Sequence, residues 1–325
     1  MQTQSSHTQN IQTPLVSFII TSYNLPIKYI KECLDSILQL SLNQKEREII
    51  LVDDGSITCP LDNLTEYLNQ IIYLRQSNQG VSVARNYGMK IAKGNFIQFV
   101  DGDDYLVQTA YEHCLDIVRY HQPDIVTFNF AKSKAEEVPY ELPTPISGTD
   151  YLSKINLHGS ACTYIFRRNI VGNLLFTPGI VYGEDEEFTP QLFLRAEKIF
   201  KTDTAAYHYR NNQQSVSHQM DKENIQLRMD NSLQVLLQLQ KKLDIIPVAE
   251  RQALGRRIAQ LTMDYLYNNI RMKHSLIALN KAIAELRLHG LYPLPEKDYT
   301  KKYSMFRKMI DTYIGRIVLL LFIKK

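Results

Sequence analysis

Three acidic clusters in this chain are placed where carboxylates could do chemistry. Asp101-Gly102-Asp103-Asp104 follows directly on an apolar run of Phe96, Ile97, Phe99 and Val100. Carboxylates set so close raise one another's pKa, and a divalent cation with oxygen ligands relieves the repulsion. Asp101 and Asp103, one residue apart, are therefore a candidate metal-holding pair. The plainer reading is an acidic turn in which Asp104 caps the next helix. Asp53-Asp54 closes a second apolar run, residues 48–52. Glu184-Asp185-Glu186-Glu187 precedes Phe188, Leu192, Phe193 and Ala196, and on residue types alone these acids complement the dipole of a helix start.

The elements that must position these groups follow from the apolar pattern. Residues 15–20, 48–52, 71–74 and 96–100 are short runs rich in β-branched and aromatic residues and read as buried strands. Helical spacing falls between them, at 29–38, near 61–68 and at 81–92. Strands alternating with helices predict a parallel sheet, and all the polar loops then share one edge. Ligands bind at that edge in open sheets of this kind. It would collect Thr21, Tyr23, Asp53, Asp54, Arg85, Asn86, Asp101 and Asp103.

Further along, a helix after 105, strands at 123–130 and 161–168, and a strand from 205 running into a polar loop are expected, with a surface excursion at 131–148. His208 and His218 read as structural or solvated. From 221 the composition turns to helix formers, with helices at 227–243, 248–272 and 275–288.

Composition narrows the function. Lys plus Arg number 37 against 34 Asp plus Glu, so no basic field argues for nucleic acid. Cys33, Cys59, Cys114 and Cys162 are scattered without a Cys-x-x-Cys pair, which disfavours zinc and fits a reducing compartment. Residues 1–13 are polar and read as a disordered leader without a signal peptide. No apolar run reaches the roughly 18 residues of a membrane span. The tail mixes Lys301, Lys302, Arg307, Lys308 and Arg316 with apolar residues at helical spacing, and is expected to lie on an anionic membrane face, the alternative being that 317–323 packs back on the helical appendage or forms a dimer contact.

Four stretches together resemble a known family. Residues 16–24 (VSFIITSYN), 50–56 (ILVDDGS), 78–88 (NQGVSVARNYG) and 99–104 (FVDGDD) look like the successive motifs of the family 2 glycosyltransferases. The resemblance, over about residues 14–218, implies an α/β, GT-A-type (Rossmann-like), mostly parallel sheet flanked by helices, here with a helical C-terminal appendage. It further implies residues 14–125 as the nucleotide-sugar-binding half, 126–220 as the acceptor-binding half and 221–325 as the helical region with the basic tail.

What the family implies is transfer of a sugar from a nucleotide diphosphate donor, commonly UDP, with inversion and with Mg²⁺ or Mn²⁺ on the diphosphate. Carried over by residue, Asp53 or Asp54 would bond the base, Thr21 and Tyr23 would line its pocket, and Arg85, beside Asn86, would face the diphosphate. Asp101 and Asp103 match the Asp-x-Asp motif, with Asp103 the direct metal ligand. Arg210, in a Tyr-x-Tyr-Arg segment, would bind the diphosphate or pair with a carboxylate. Asp185 stands where the family has its catalytic base, with Glu184 in support. The chain has no Trp, a departure at the acceptor floor in the 161–168 run. The expected acceptor is a glycan or lipid-linked glycan at the cytoplasmic membrane face. Two alternatives are a catalytically silent nucleotide-sugar-binding scaffold and a sugar nucleotidyltransferase, the latter disfavoured because no glycine follows the first strand.

Overall fold

The structure, a computed structural model, describes residues 13–131, 141–210 and 221–324. The expected leader (apart from Thr13), the middle of the 131–148 excursion and the polar run around His218 lie outside them. The chain divides into two compact units. One comprises Met1–Pro143, Cys162–Gly172 and Phe200–Arg210; the other comprises Thr144–Ala161, Asn173–Ile199 and Asn211–Lys325.

The first unit is built on β1 (Val16–Ser22), β2 (Arg47–Asp53), β3 (Ile72–Arg75), β4 (Phe96–Asp101), β5 (Tyr105–Leu106), β6 (Ile125–Phe130), β7 (Tyr164–Arg167) and β8 (Ile199–His208). Their order across the sheet is β3-β2-β1-β4-β7-β6-β8-β5. β1, β2 and β4 are buried on both faces, which is why they read as continuous apolar runs and not as alternating ones. The helices α1 (Ile27–Leu38), α2 (Val81–Ile91) and α3 (Gln108–His121) supply the cover. α1 buries Ile30, Cys33, Leu34 and Ile37 along one stripe, and each Leu or Ile so buried contributes about 2 kcal/mol.

The expected parallel sheet is present from β3 to β4, and the fold is α/β with flanking helices. From β4 outward the neighbours turn antiparallel: β4 with β7, β7 with β6, and β5 with β8. Antiparallel pairing needs no helical crossover. Two further expectations change. Residues 61–68 form two 3₁₀ turns, Pro60–Asn63 and Thr65–Tyr67, in place of an α-helix. Asp104 does not cap a helix, because β5 intervenes and α3 starts at Gln108 with Val107 in the capping position.

The second unit contains α4 (Gly148–Lys154), α5 (Glu184–Phe193), α6 (Lys222–Lys242), α7 (Val248–Lys273), α8 (Leu276–Leu288), α9 (Lys301–Ile310) and α10 (Tyr313–Phe322). Leu236, Leu239, Leu254, Leu266, Ile270, Leu279, Ile283 and Leu286 form its core. α4 packs on α7 and α5 on α6, so residues 144–161 and 173–199 join the helical region. The compact units therefore part within the 126–220 segment and not at residue 221.

Gly148 illustrates how closely this unit is packed. A Cβ there would sit 1.6 Å from the Phe193 carbonyl oxygen, while the Gly148 N–H donates to Ala196 O at 2.7 Å. Both obstacles are backbone and cannot rotate away. Gly148→Ala is expected to lower unfolding free energy by about 3 kcal/mol in urea titration. A change below about 0.5 kcal/mol, within the range of ordinary surface substitutions, would contradict this packing.

Candidate active site

Strand register brings the polar residues of the first unit to one edge. Ser22 of β1 pairs with Asp53 of β2, and Thr21 with Asp101 of β4. Loops beyond the strands are tied to each other: Asn24 N donates to Ser56 Oγ at 2.8 Å, and Ile57 N donates to Asn24 Oδ1 at 2.8 Å. Tyr23 projects from this loop and is 47% exposed.

Asp53 and Asp54 are buried and already engaged. Asp53 Oδ1 accepts from Ser56 N at 2.9 Å, and Oδ2 accepts from Tyr73 Oη at 2.9 Å, with Arg75 Nε 3.5 Å away. Asp54 Oδ1 accepts from Gln79 N (2.9 Å) and Gln76 Nε2 (2.7 Å), and Oδ2 accepts from Gly80 N at 2.8 Å. Asp54 thus shapes the turn that starts α2, where Gly80 takes φ 87°. A nucleotide base would have to share these oxygens. The backbone is equally close, since a Cβ on Gly55 would lie 2.6 Å from Asn78 N.

The acidic turn after β4 is held from three sides. Buried Arg85 of α2 reaches Asp101 Oδ1 at 3.2 Å, and Cys162 Sγ lies 3.4 Å from Asp101 Oδ2. Tyr207 Oη accepts from the Asp101 N–H at 3.0 Å and donates to Asp104 Oδ2 at 2.8 Å. Arg210 donates its backbone N–H to Asp104 Oδ1 (2.7 Å) and its Nε to the Asp103 carbonyl (2.8 Å). Its guanidinium pairs with Glu32 and lies 4.3 Å from the centre of the Tyr29 ring. The carboxylate pairing expected as one of the two roles of Arg210 is thus made with Glu32. Burial, followed by the charge of Asp101, pushes the Asp104 carboxyl up to about 8, and burial beside the same acids raises the Cys33 thiol. Asn86 sits half-buried on α2.

Among the described residues, no three His, Cys, Asp or Glu side chains converge as a metal cage. Two carboxylates are nonetheless a fitting donor set for Mg²⁺ or Mn²⁺, which commonly take one or two carboxylates and complete their shell with phosphate oxygens and water. Asp101 is itself engaged by Arg85 and Cys162, so a cation there would share its oxygens with both.

Glu184 and Asp185 belong to the second unit, at the start of α5 after Gly183, whose φ is 83°. The acids there take separate partners. Asp185 Oδ2 accepts from the Ala161 N–H at 3.1 Å. Glu186 forms an ion pair with Arg257 of α7, and a Cβ on Gly159 would lie 2.0 Å from its Oε2. Glu187 Oε1 accepts from Thr177 Oγ1 at 2.9 Å, and burial raises its pKa. The loop that ends at Ala161 is itself backed by α7. Arg256 Nη1 donates to Leu152 O (3.0 Å) and Ile155 O (2.8 Å), while Arg256 Nη2 and Gln260 Nε2 meet Asn156 Oδ1 at 2.7 and 2.9 Å. Sequence reading missed Cys162, Tyr207, Arg256 and Arg257. Only Tyr207 carried a signal, as part of the Tyr-x-Tyr-Arg segment.

The model of the family "Glycosyl transferase family 2" matches residues 17–175, which include β1 to β4 and the acidic turn. The matched segment belongs to this family. The uncharacterized glycosyltransferase EpsJ of Bacillus subtilis is 33% identical over 221 residues, covering 63% of each chain. The poly(ribitol-phosphate) beta-N-acetylglucosaminyltransferase TarS of Staphylococcus aureus is 27% identical over 201 residues, covering 59% of this chain and 35% of TarS. The chain thus spans less than two thirds of either relative's length.

In structure, residues 1–349 of TarS, solved with UDP-GlcNAc, superpose with a TM-score of 0.69 at 19% identity, covering 94% of this chain and 88% of that one. The mannosyltransferase PcManGT of Pyrobaculum calidifontis, solved with GDP-Man and Mn2+, gives 0.54 at 15% identity, covering 95% and 88%. These likenesses establish the GT-A fold of this chain.

Within the family 2 domain, Asp54 offers a direct check on the edge. In Asp54→Asn an amide NH₂ replaces one oxygen and faces either Gly80 N–H or Gln79 N–H, donor against donor. Stability is expected to fall by about 2 kcal/mol, read as a lower urea midpoint at unchanged slope. An unchanged midpoint would show that the carboxylate does not hold the 76–80 turn.

Proposed function

We propose that this chain transfers a sugar from a nucleoside diphosphate donor, a UDP-sugar, to a hydroxyl of a glycan or lipid-linked acceptor during polysaccharide or cell-wall polymer assembly. The reading is carried by the acidic turn itself: Asp101 and Asp103 sit at the carboxyl end of a buried strand, beside a buried arginine. The names of the relatives support the substrate classes, since TarS acts on poly(ribitol-phosphate) and was solved with UDP-GlcNAc.

The donor belongs to the first unit, where Asp53 or Asp54 with Thr21 and Tyr23 would receive the base, and Arg85 and Asn86 the diphosphate side. A divalent cation held by Asp103 with Asp101 would neutralise the charge growing on the departing diphosphate. Asp185 is the proposed base, with Glu184 in support. Its Oδ2 is fixed by the Ala161 N–H, so the carboxylate is oriented before the acceptor arrives. As the acceptor oxygen bonds to the anomeric carbon, its proton passes to Asp185. The bond to the diphosphate breaks on the opposite face, its electron pair leaves with UDP, and configuration inverts. Glu186 is the weaker candidate, because its carboxylate is paired with Arg257.

Two substitutions separate donor binding from chemistry. Asp103→Ala is expected to abolish the part of UDP affinity that depends on Mg²⁺ or Mn²⁺, measured by calorimetry with and without chelator. Equal affinity in the variant and under chelation would remove the cation from the scheme. Asp185→Asn is expected to lower kcat by about a hundredfold or more, as for loss of a general base, with UDP affinity nearly unchanged. Near-normal turnover would reassign the base.

A further inference from the structure

The tail of the second unit is charged against the rest of the chain. Residues 301–325 hold seven Lys or Arg and one acid, Asp311, a net charge of +6. The whole chain has 37 basic and 34 acidic residues, so the other 300 hold 30 against 33, a net charge of −3. The cationic character of the molecule is thus confined to α9, α10 and the two lysines that follow.

The same segment presents apolar side chains outward. Tyr303, Phe306, Ile310 and Leu319 are buried in the helical core and fix α9 and α10 to it. Gly315 lets α10 approach closely, since a Cβ there would lie 2.0 Å from Met309 O. With that face docked, Ile314, Ile317 and Leu321, at spacings of three and four, form a stripe on the outer face and are 74%, 37% and 75% exposed. Phe322 extends it at 79% exposure. Lys301, Lys308 and Lys324 are exposed on the same two helices and their end. A rigidly held helix with a bare apolar stripe and a basic surround is a binding surface and not a core element.

We infer that α10 seats this protein on an anionic lipid bilayer, lying in the plane of the surface with the stripe inserted and the lysines against the headgroups. Charge selects this occupant. A second copy meeting the same face would bring two segments of +6 together, and protein interfaces are depleted of lysine. Spanning is ruled out by length: ten residues make about 15 Å of helix, half the hydrocarbon core. No helix among the described residues is long and apolar enough to cross a membrane. The inference is independent of the proposed reaction.

Co-sedimentation of the full chain with vesicles tests it. The protein should pellet with equimolar phosphatidylglycerol and phosphatidylcholine at low salt, be released by high salt, and stay in the supernatant with phosphatidylcholine alone. The combined variant Ile314→Gln, Leu321→Gln, Phe322→Gln and, separately, Lys301→Gln, Lys308→Gln, Lys324→Gln should each bind the anionic vesicles at least about tenfold more weakly. All six side chains are exposed, so an unchanged thermal melt certifies each variant, and if the first is unfolded the lysine variant decides alone. A full chain that does not pellet, or certified variants that pellet as well as the parent, would overturn the inference. So would a dimer in lipid-free solution that the apolar variant converts to monomer, because the stripe would then be a contact between copies.

Discussion

The first unit depends on the register of three buried parallel strands. β1, β2 and β4 each run through the sheet interior and reach their polar carboxyl ends at the same level, so Thr21, Ser22, Asp53 and Asp101 emerge together. A slip of one residue would turn every side chain of a strand to the opposite face. Because both faces are covered, no such slip is tolerated, and the placement of the acids follows from the burial of the strands. The carboxylates are functional residues located by hydrophobic packing.

Gathering like charges at one edge is costly, and the structure offsets that cost locally. Asp53 is met by a backbone amide, a tyrosine and an arginine; Asp54 by two amides and a glutamine side chain; Asp101 by Arg85. Asp104 is buried and, like Asp54, has no cation on its carboxylate among the described residues; burial, followed by the charge of Asp101, pushes its carboxyl up to about 8. Its two contacts, Tyr207 Oη and Arg210 N, tie the acidic turn to β8 and the residues after it. In the second unit, α7 plays the corresponding part with Arg256 and Arg257, which brace the loop and the acid on either side of Asp185.

The tail shows why a helical pattern alone does not define an environment. Sequence reading placed the whole basic stretch on a membrane, yet half of its apolar residues complete the core of the second unit. The two faces of α10 divide the work, since a helix offers one stripe to its neighbours and another to its surroundings.

The sequence by itself determined where the first four strands end, because an apolar run stopped by polar residues, acids in β2 and β4, is a local signal that needs no knowledge of the partner strand. It also determined α1, α2 and the long helices of the second unit, through apolar spacing and breakers such as Pro247. The succession of motifs was sufficient to place the matched segment in its family. Only the tertiary structure decided the antiparallel half of the sheet, since β6 and β7 read as strands but pairing direction is no local property, and β5 at two residues is too short to show a pattern. It also decided that residues 144–161 and 173–199 pack with the helices, that Asp53 and Asp54 serve as loop staples, and that Asp104 faces inward. The contacts responsible join residues far apart in the chain, Asp104 to Arg210 across 106 positions and Glu186 to Arg257 across 71. Such pairings are set when buried charges and loop amides find partners after the chain has collapsed, and no local pattern of residue types encodes them.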